Sequence, residues 1–368
     1  MWEMAKAKAP QVKALPDPML QLELQNIGLT EYTVGEMDMS MAGVSVSQPI
    51  PYPGKRRLRQ QVAEKEAEAA GEMVEVTRRS VVSRLKVAYA DLAFVHQSLK
   101  VVAQTRGILQ EFEQAARARY GVGEGMQQDV FKAQLEVSML IQRTQALEQQ
   151  REGITAMLNS LLDRPPDALL GTPEDLGEPL PLRSLEELNR LAREHNPELR
   201  NRQRAVEGGE LQVALMQKEY RPDFAVSAGW RSRGGFDDLY QLMVEVELPW
   251  QRERRHYGVQ EALAAHAAVQ KGRRAVETMA LAQVRDFYSM ATTAGRLIAL
   301  YQTTILPQTS FALESAVAGY RVGQVDFLML LDNTRILLEN QLMVQEQLAD
   351  YHRAVARLEE VVGTSALE

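Results

Sequence analysis

Cysteine is absent from this chain of 368 residues, which excludes disulfide bonds, thiolate metal sites and lipidation on a cysteine. Aromatic residues are scarce at 6%, and apolar runs of about 18 residues or more are missing, so no transmembrane helix is predicted. The formal net charge of −7 lacks the basic excess that a nucleic-acid partner requires. The first 18 residues lack the apolar stretch of a secretory signal. A membrane location stays open, because strands that cross a membrane give a much weaker sequence signal.

Motifs for catalysis are missing as well. The five histidines show no HExxH or other paired spacing, and no serine, histidine and aspartate arrangement stands out. Met37, Met39 and Met41 alternate in a way that would suit Cu(I), but we prefer to explain them by a flexible loop that leads into a strand. We therefore predict no enzymatic activity, no cofactor and no resident metal.

Long helices dominate what is present. Residues 55–119 contain no proline, and Ala, Glu, Gln, Leu and Arg prevail, a composition typical of coiled coils. Apolar residues recur at alternating spacings of three and four, which demands a partner helix along the whole length. The recurring positions are Leu85, Ala88, Leu92, Val95, Leu99 and Val102, then Val130, Ala133, Val137, Leu140, Thr144 and Leu147, and finally Val344, Leu348, Tyr351, Val355, Leu358 and Val362.

Four short segments alternate apolar and polar residues, as strands do. They are "MLQLELQNI" (19–27), "MAGVSVSQPI" (41–50), "PDFAVSAGW" (222–230) and "YQLMVEVELPW" (240–250). Their length of about ten residues suits a strand that crosses a membrane, and equally an amphipathic strand of a soluble sheet. Glu245 and Glu247 share one face of the last segment, which favours a wet lumen on that side.

The sequence contains the same order of strands, helices and turns twice. "ARYGVGEGMQQDV" (118–130) and "AGYRVGQVDFLML" (318–330) lie 200 residues apart, and Pro49 and Pro249 share that offset. We predict a first repeat at 1–163, with strands at about 19–27 and 41–50 and helices at about 55–119 and 127–163. A linker follows at 164–183. The second repeat, at 184–368, has a lead-in helix at about 184–220, strands at about 222–230 and 240–250, and helices at about 252–318 and 326–363.

The two turns are not phosphate-binding loops. "GVGEGM" has neither the lysine nor the preceding strand that such a loop needs. Gly123 and Gly323 are better interpreted as helix stops that permit a positive φ. Asp129 then has two compatible roles, as a helix residue favoured by the dipole and as an acidic residue of a functional site.

These features resemble the outer membrane factors of the TolC family, the exit ducts of tripartite efflux pumps, over almost the whole chain. "RYGVGEGMQQDVFKAQLEV" and "GYRVGQVDFLMLLDNTRI" carry the resemblance most specifically, with "PDPMLQLELQNIG", "SQPIPYPGKRR" and "NPEL" in support. "SQPIPYPGKRRLR" is most similar to the branch that serves heavy-metal efflux pumps. The resemblance implies a mainly α fold, in which the long helices of three chains form an α-barrel and four strands per chain form a twelve-stranded β-barrel.

The resemblance also implies locations and partners. The chain would sit in the outer membrane of a Gram-negative cell and extend into the periplasm, with residues 29–40 and 231–239 as extracellular loops. Its partners would be a periplasmic adaptor, an inner-membrane RND-type pump and outer membrane lipid. The lipid-facing residues would be Leu20, Leu22, Leu24, Val44, Val46, Phe224, Val226, Val244 and Val246, with Glu245 and Glu247 facing the channel.

Site residues follow from the same resemblance. The periplasmic entrance or gate would comprise Glu124, Asp129, Tyr320, Asp326 and Asp332. Met329 departs from the family pattern, since an aspartate is often found there. The helix tips that contact the adaptor would carry Tyr120, Val122, Gly123, Val322 and Gly323, and Pro49, Pro51 and Pro249 would mark the strand-to-helix transitions.

Two further expectations remain. By comparison with residues 184–220, the first repeat should lack an export signal and most of its lead-in helix, which predicts a longer natural chain. The competing interpretation is a soluble periplasmic coiled-coil adaptor or structural spacer, whose short strands would form a small sheet.

Overall fold

A computed structural model describes residues 1–27 and 33–367. Part of the predicted loop at 29–40, namely residues 29–32, lies outside the described residues. The chain divides into two compact units, each built from two segments. Unit 1 contains Met1–Val76 and Pro197–Glu277, and unit 2 contains Thr77–Asn196 and Thr278–Glu368.

Four strands and eight α-helices follow one another along the described chain. The strands are β1 (Met19–Gln25), β2 (Met41–Ile50), β3 (Asp223–Ser232) and β4 (Leu239–Glu247). The helices are α1 (Trp2–Lys13), α2 (Lys55–Gly121), α3 (Gln127–Leu161), α4 (Leu185–His195), α5 (Pro197–Lys218), α6 (Arg252–Leu300), α7 (Leu306–Arg321) and α8 (Phe327–Val362). This mainly α chain with a four-stranded antiparallel sheet confirms the predicted fold class.

The sheet of unit 1 has the strand order β1-β2-β3-β4, and every neighbouring pair is antiparallel. β1 and β2 form one hairpin, β3 and β4 form the other, and the long-range pairing of β2 with β3 joins them. The register aligns Val46 with Leu20 on one side and with Ala228 on the other. Residues directly opposite one another lie on the same face of a sheet.

One face of the sheet is therefore apolar across all four strands. It holds the nine residues that the resemblance assigns to lipid, together with Trp230, Tyr240 and Leu242. Leu22 and Leu242 are 82% and 77% exposed, respectively. The opposite face is polar and includes Glu245, Glu247 and the ion pair between Glu23 and Arg231 at 2.7 Å.

Ion pairs join α2 to α5 within unit 1. Lys65 of α2 lies 3.0 Å from Oε2 of Glu207 and 2.9 Å from Oε2 of Glu68. Arg204 contacts the same Glu207 oxygen at 3.1 Å. Hydrogen bonding from Lys65 is the largest cause that lowers the pKa of Glu207 to about 2, and Gln203 and Arg204 add to it. The hydrogen bonds to Glu68 and then to Glu207 raise the pKa of Lys65.

The residues of the predicted heptads form much of the buried core of unit 2. All six positions from Val344 to Val362 are buried, and so are Ala88, Leu92, Val95 and Val102 of α2. One apolar cluster connects α2 and α3 with α7 and α8; its members include Leu109, Ala116, Val130, Leu313, Phe327 and Leu330. The two helical hairpins, α2/α3 and α7/α8, therefore share one core.

Two helices are interrupted where the sequence pattern suggested continuity. The lead-in segment 184–220 contains α4 and α5, separated at Asn196, because the residue before Pro197 is disfavoured in the helical conformation. Asn196 has ψ 119°, and its side chain donates to the carbonyl of Val361 at 2.7 Å. Between α6 and α7, residues Tyr301–Ile305 form a π-helical turn just before Pro307, which cannot donate a helical hydrogen bond.

Within the described residues, no helix has both the length and the apolar content needed to cross a membrane.

Candidate functional site

Both helical hairpins of unit 2 turn with the same hydrogen bonds. We call residues 119–129 the first tip and residues 319–329 the second tip. In the first tip, the Gly123 N–H donates to Tyr120 O at 3.0 Å, and the Glu124 N–H donates to Arg119 O at 2.9 Å. In the second tip, Gly323 donates to Tyr320 at 3.2 Å and Gln324 donates to Gly319 at 2.9 Å. This paired pattern is the Schellman motif, which ends a helix by satisfying its last carbonyls.

Glycine is required where each helix stops. The φ angles of Gly123 and Gly323 are +80° and +75°, a left-handed conformation that costs an L-residue with a side chain about 1–2 kcal/mol. The two turns are thus equivalent in backbone, as the repeat predicted.

The side chains of the two tips differ. Phe327 in the second tip is fully buried and packs against Tyr320, with 5.5 Å between the ring centroids. The first tip has the exposed Gln127 at the equivalent position. Tyr120 is correspondingly exposed, whereas Tyr320 is half-buried against the shared core.

Arg119 connects the first tip to the second. Its Nη1 donates to the main-chain carbonyl of Tyr320 at 3.0 Å. Its guanidinium carbon lies 5.0 Å from the centre of the Tyr320 ring, within the range of a cation–π contact. Arg119 is not among the residues predicted from the sequence. The only signal for it is the repeat, in which Gly319 occupies the equivalent position.

The hydroxyl of Tyr320 is in a mixed electrostatic environment. Burial is the main cause that raises its pKa, and the Arg119 guanidinium opposes the rise. The carboxylates of Asp129 and Asp326 add to the increase in pKa, which indicates that both act on this tyrosine. The structure thus brings three of the five predicted gate residues into one electrostatic group.

The remaining predicted acidic residues are placed differently. Glu124 is exposed and lines a cavity of about 540 Å³ beside Arg119, Tyr320 and Gly323. Asp332 lies further along α8, is exposed and faces Arg335 at 3.8 Å. Met329, where the family often has an aspartate, is exposed on the first turn of α8.

Val122 and Val322 occupy equivalent positions on the two tips. They are 73% and 69% exposed, and each immediately precedes the glycine that ends its helix. Each tip thus has an exposed valine at the end of its helix.

The strand-to-helix transitions are in unit 1. Pro49 lies in β2, paired with Ala225, beyond the last residue of β2 that pairs with β1. The missing N–H of a proline is tolerated where a strand has a partner on one side only. Pro51 lies just after β2, and Pro249 lies two residues after β4 ends.

A buried lysine at the start of α2 joins the first strand-to-helix transition to the start of β3. The Lys55 ammonium donates to Asp223 Oδ2 at 3.0 Å, Arg221 O at 3.1 Å and Glu219 Oε2 at 3.3 Å. The other oxygen of Asp223 accepts from the Tyr52 N–H at 2.6 Å. These partners of Lys55 lie 164 to 168 residues away in the sequence, so no local pattern predicts the contacts.

Several known proteins are similar to this chain. It is 21% identical to the cobalt-zinc-cadmium resistance protein CzcC of Cupriavidus metallidurans over 358 residues, which covers 96% of this chain and 82% of that protein. Among solved structures, the outer membrane protein VceC of Vibrio cholerae superposes with a TM-score of 0.83 at 18% identity, covering 99% of this chain and 91% of that one. The outer-membrane channel OprN superposes with a TM-score of 0.84 at 17% identity, covering 99% of this chain and 85% of that one. CusC superposes with a TM-score of 0.83 at 13% identity, covering 99% of this chain and 87% of that one.

The sequence profile of the family described as "Outer membrane efflux protein" matches residues 3–162 and 188–364. The two matched segments correspond to the two repeats and together cover most of the chain. This protein belongs to the outer membrane efflux protein family.

Proposed function

We propose that three copies of this protein assemble into an outer membrane efflux channel. The observation that carries the proposal is the sheet, whose apolar face is exposed on all four strands. In the part of the chain that the structure describes, β1 and β4 each have a neighbouring strand on one side only. A closed barrel needs about eight strands, so one sheet is too small, whereas three sheets supply twelve.

Closing the three sheets into one barrel would remove the open edges of each sheet, because β4 of one copy would pair with β1 of the next. The apolar face would then contact lipid. Trp230 and Tyr240 lie opposite one another near one end of the strands, and Trp250 is exposed just beyond the other end of β4. Aromatic residues at two levels suit the two interfaces of a membrane.

The polar face would line the channel. Glu245 and Glu247 lie on this face and are exposed, whereas Glu23 is neutralised by Arg231. Within residues 1–27 and 33–367, Glu245 and Glu247 have no ion-pair partner. Three copies would repeat these two carboxylates around the lumen, and rings of carboxylates favour cations.

The helical tips of unit 2 would form the periplasmic entrance. Asp129 and Asp326, together with Tyr320, would act as the gate, with Glu124 and Asp332 nearby. Three-fold repetition of these carboxylates would attract cations and oppose close approach of the tips. Tyr120 and the tip residues Val122, Gly123, Val322 and Gly323 would contact the periplasmic adaptor. The family and the fold are those of transport channels, so the energy for transport would come from an inner-membrane pump of the RND type.

We propose divalent metal cations as cargo. The name of CzcC links that relative to resistance to cobalt, zinc and cadmium. The acidic polar face of the sheet supports a cationic substrate. Deleting the gene should lower the concentration of zinc or cadmium that the cells tolerate while leaving their tolerance to neutral drugs unchanged. The opposite pattern would indicate a drug channel.

Fractionation tests the channel assignment itself. The protein should be recovered with the outer membrane, need detergent for extraction and have the mass of a trimer. Recovery as a monomer in plain buffer would instead support the soluble coiled-coil spacer.

A further inference from the structure

Basic residues are concentrated in unit 1 where the helices α2 and α6 begin. Residues 52–59 contain one lysine, three arginines and no acidic residue, and residues 250–257 contain three arginines and one glutamate. The whole chain has a formal net charge of −7, so these two segments differ sharply from its general composition. Cations in the first turn of a helix oppose the helix dipole, so helix stability does not explain why they are there.

Two of these cations bind the protein itself. Lys55 and Arg255 lie 200 residues apart, at equivalent positions of the two repeats, and both contact Glu219. Lys55 Nζ donates to Oε2 of Glu219 at 3.3 Å, and Arg255 Nε donates to the main-chain carbonyl of the same residue at 2.6 Å. The first turns of α2 and α6 therefore lie beside one another, at the end of the sheet where β2 and β4 finish.

Three other arginines have no protein partner to explain them. Arg57, Arg252 and Arg254 are exposed, and among the residues that the structure describes their side chains make no ion pair and no hydrogen bond. Arg57 follows Lys55 by two residues, which turns it about 200° around α2, away from Glu219. We call Arg57, Arg252 and Arg254 the basic rim. Its three guanidinium groups are free to bind an external anion.

Exposed apolar and aromatic residues adjoin the basic rim. Leu248 and Trp250 follow β4 directly and are 52% and 82% exposed, and Tyr257 on the second turn of α6 is 63% exposed. Trp250 lies two residues before Arg252, so the apolar face of the sheet leads straight to the rim. Tryptophan, tyrosine and arginine together suit the headgroup level of a membrane, because each has an apolar body and a polar end.

We propose that the basic rim binds the phosphate groups of anionic phospholipids in the leaflet that faces the periplasm. The proposal rests on the function proposed above, which places the apolar face of the sheet in the membrane and the helices in the periplasm. A guanidinium group binds two phosphate oxygens at once. The adjoining apolar residues favour a phospholipid over free phosphate, because the acyl chains would lie against Leu248 and Trp250. Three copies would repeat the rim around the channel and fix its depth in the membrane.

The test uses the full chain in detergent, with native mass spectrometry to count the lipids bound at increasing concentrations of phosphatidylglycerol or phosphatidylcholine. Arg252→Gln combined with Arg254→Gln removes two charges of the rim. Arg252→Lys combined with Arg254→Lys keeps the charge but loses the planar group. The matched control is Arg143→Gln combined with Arg151→Gln, which removes two exposed arginines of α3 in unit 2. The same spectra report whether each variant is a trimer.

We expect wild type to bind phosphatidylglycerol about tenfold or more tightly than phosphatidylcholine. The glutamine variant of the rim should bind phosphatidylglycerol about 25-fold more weakly, since each arginine near an anionic lipid surface contributes about fivefold in affinity. Its binding of phosphatidylcholine should stay unchanged. The lysine variant should lie between wild type and the glutamine variant, and the α3 control should match wild type.

A detergent-dependent trimer that binds the two lipids equally would overturn the basic rim and leave the channel function intact. An equal loss of phosphatidylglycerol in the α3 control would also overturn it, because the binding would then reflect net charge alone. Inorganic phosphate at the same concentration should not displace the lipid; displacement would mean that the rim binds the free anion. If the protein is soluble without detergent and still prefers phosphatidylglycerol through these arginines, the proposed channel function fails and the lipid site stands.

Discussion

The ammonium group of Lys55 lies 3.0 Å from Oδ2 of Asp223, and only 1% of the lysine is exposed. A second carboxylate, Glu219, lies 3.3 Å away. The start of α2 is thus tied to the start of β3, although 168 residues separate the two partners in sequence.

Replacing Lys55 with methionine should lower the free energy of unfolding by about 3 kcal/mol, because two carboxylates would lose a buried partner. Lys65→Met is the matched control: Lys65 also contacts two carboxylates but is more exposed. That change should cost less than about 1 kcal/mol. Urea unfolding followed by circular dichroism measures both values, and equal losses would contradict the role assigned to burial.

Replacing a tip glycine with alanine should lower the stability of the protein, whereas the same change at a glycine inside a helix should raise it. Gly323→Ala should destabilise the protein by about 1–2 kcal/mol, because φ there is +75°. Gly107→Ala, inside α2 with open space around the added Cβ, should stabilise it by about 0.5–1 kcal/mol. Thermal unfolding midpoints that move in the same direction for both variants would argue against the left-handed stop.

Acid should weaken the cluster of Lys65 and Glu207. The folded pKa of Glu207 is lowered to about 2 from an ordinary value of 4.5, so the folded state binds this proton less readily than the unfolded state. The stabilisation is therefore complete above pH 4.5 and is lost as the pH falls toward 2.

Glu207→Gln should consequently reduce the loss of stability between pH 6 and pH 3, as measured by urea midpoints at the two values. Lys65→Met removes the strongest hydrogen-bond donor and should change the pH dependence in the same direction. If the urea midpoints at pH 6 and pH 3 differ by the same amount in Glu207→Gln as in wild type, this carboxylate does not contribute to the pH dependence of stability.

The carboxylates of Glu245 and Glu247, which we propose face the channel, should set ion selectivity. Glu245→Gln combined with Glu247→Gln should shift the reversal potential in a salt gradient toward lower cation preference, because the unpaired charges of the polar face are removed. Gln241→Ala, on the same face of β4, changes size without charge and should leave the reversal potential unchanged. A shift of similar size in both variants would refute the electrostatic explanation.

Local patterns predicted most elements of the fold but not the helix breaks at Asn196 and at Tyr301–Ile305. The spacing from Val344 to Val362 predicted a buried helix face, and all six positions are buried. The alternation in the strands predicted which residues share a face. Such patterns report the environment of a residue within its own element, which is why they succeed.

Contacts between distant segments could not be predicted in the same way. Alternation does not specify that Val46 pairs with Ala228, because many registers bury the same face. Lys55 contacts Glu219 and Asp223, which lie 164 and 168 residues away in the sequence, so no local pattern could pair them. Arg119 donates to a main-chain carbonyl, an acceptor that every residue has, so its sequence difference from Gly319 could not identify this partner.

The central claim is that β1 of one copy pairs with β4 of the next. Gln21 and Gln241 lie in the same row across the sheet, on its polar face, at opposite edges. Closing a barrel staggers neighbouring copies along the strands, so the β1 position nearest to Gln241 of the next copy is found by scanning. The chain has no cysteine of its own, so Gln241→Cys is combined in turn with Gln21→Cys, Glu23→Cys or Gln25→Cys on the polar face of β1, and a short bismaleimide joins thiols that lie close together. In outer membranes, we expect a covalent trimer from at least one double variant and only monomers from each single variant. If every double variant stays monomeric on a denaturing gel, β1 of one copy does not pair with β4 of the next.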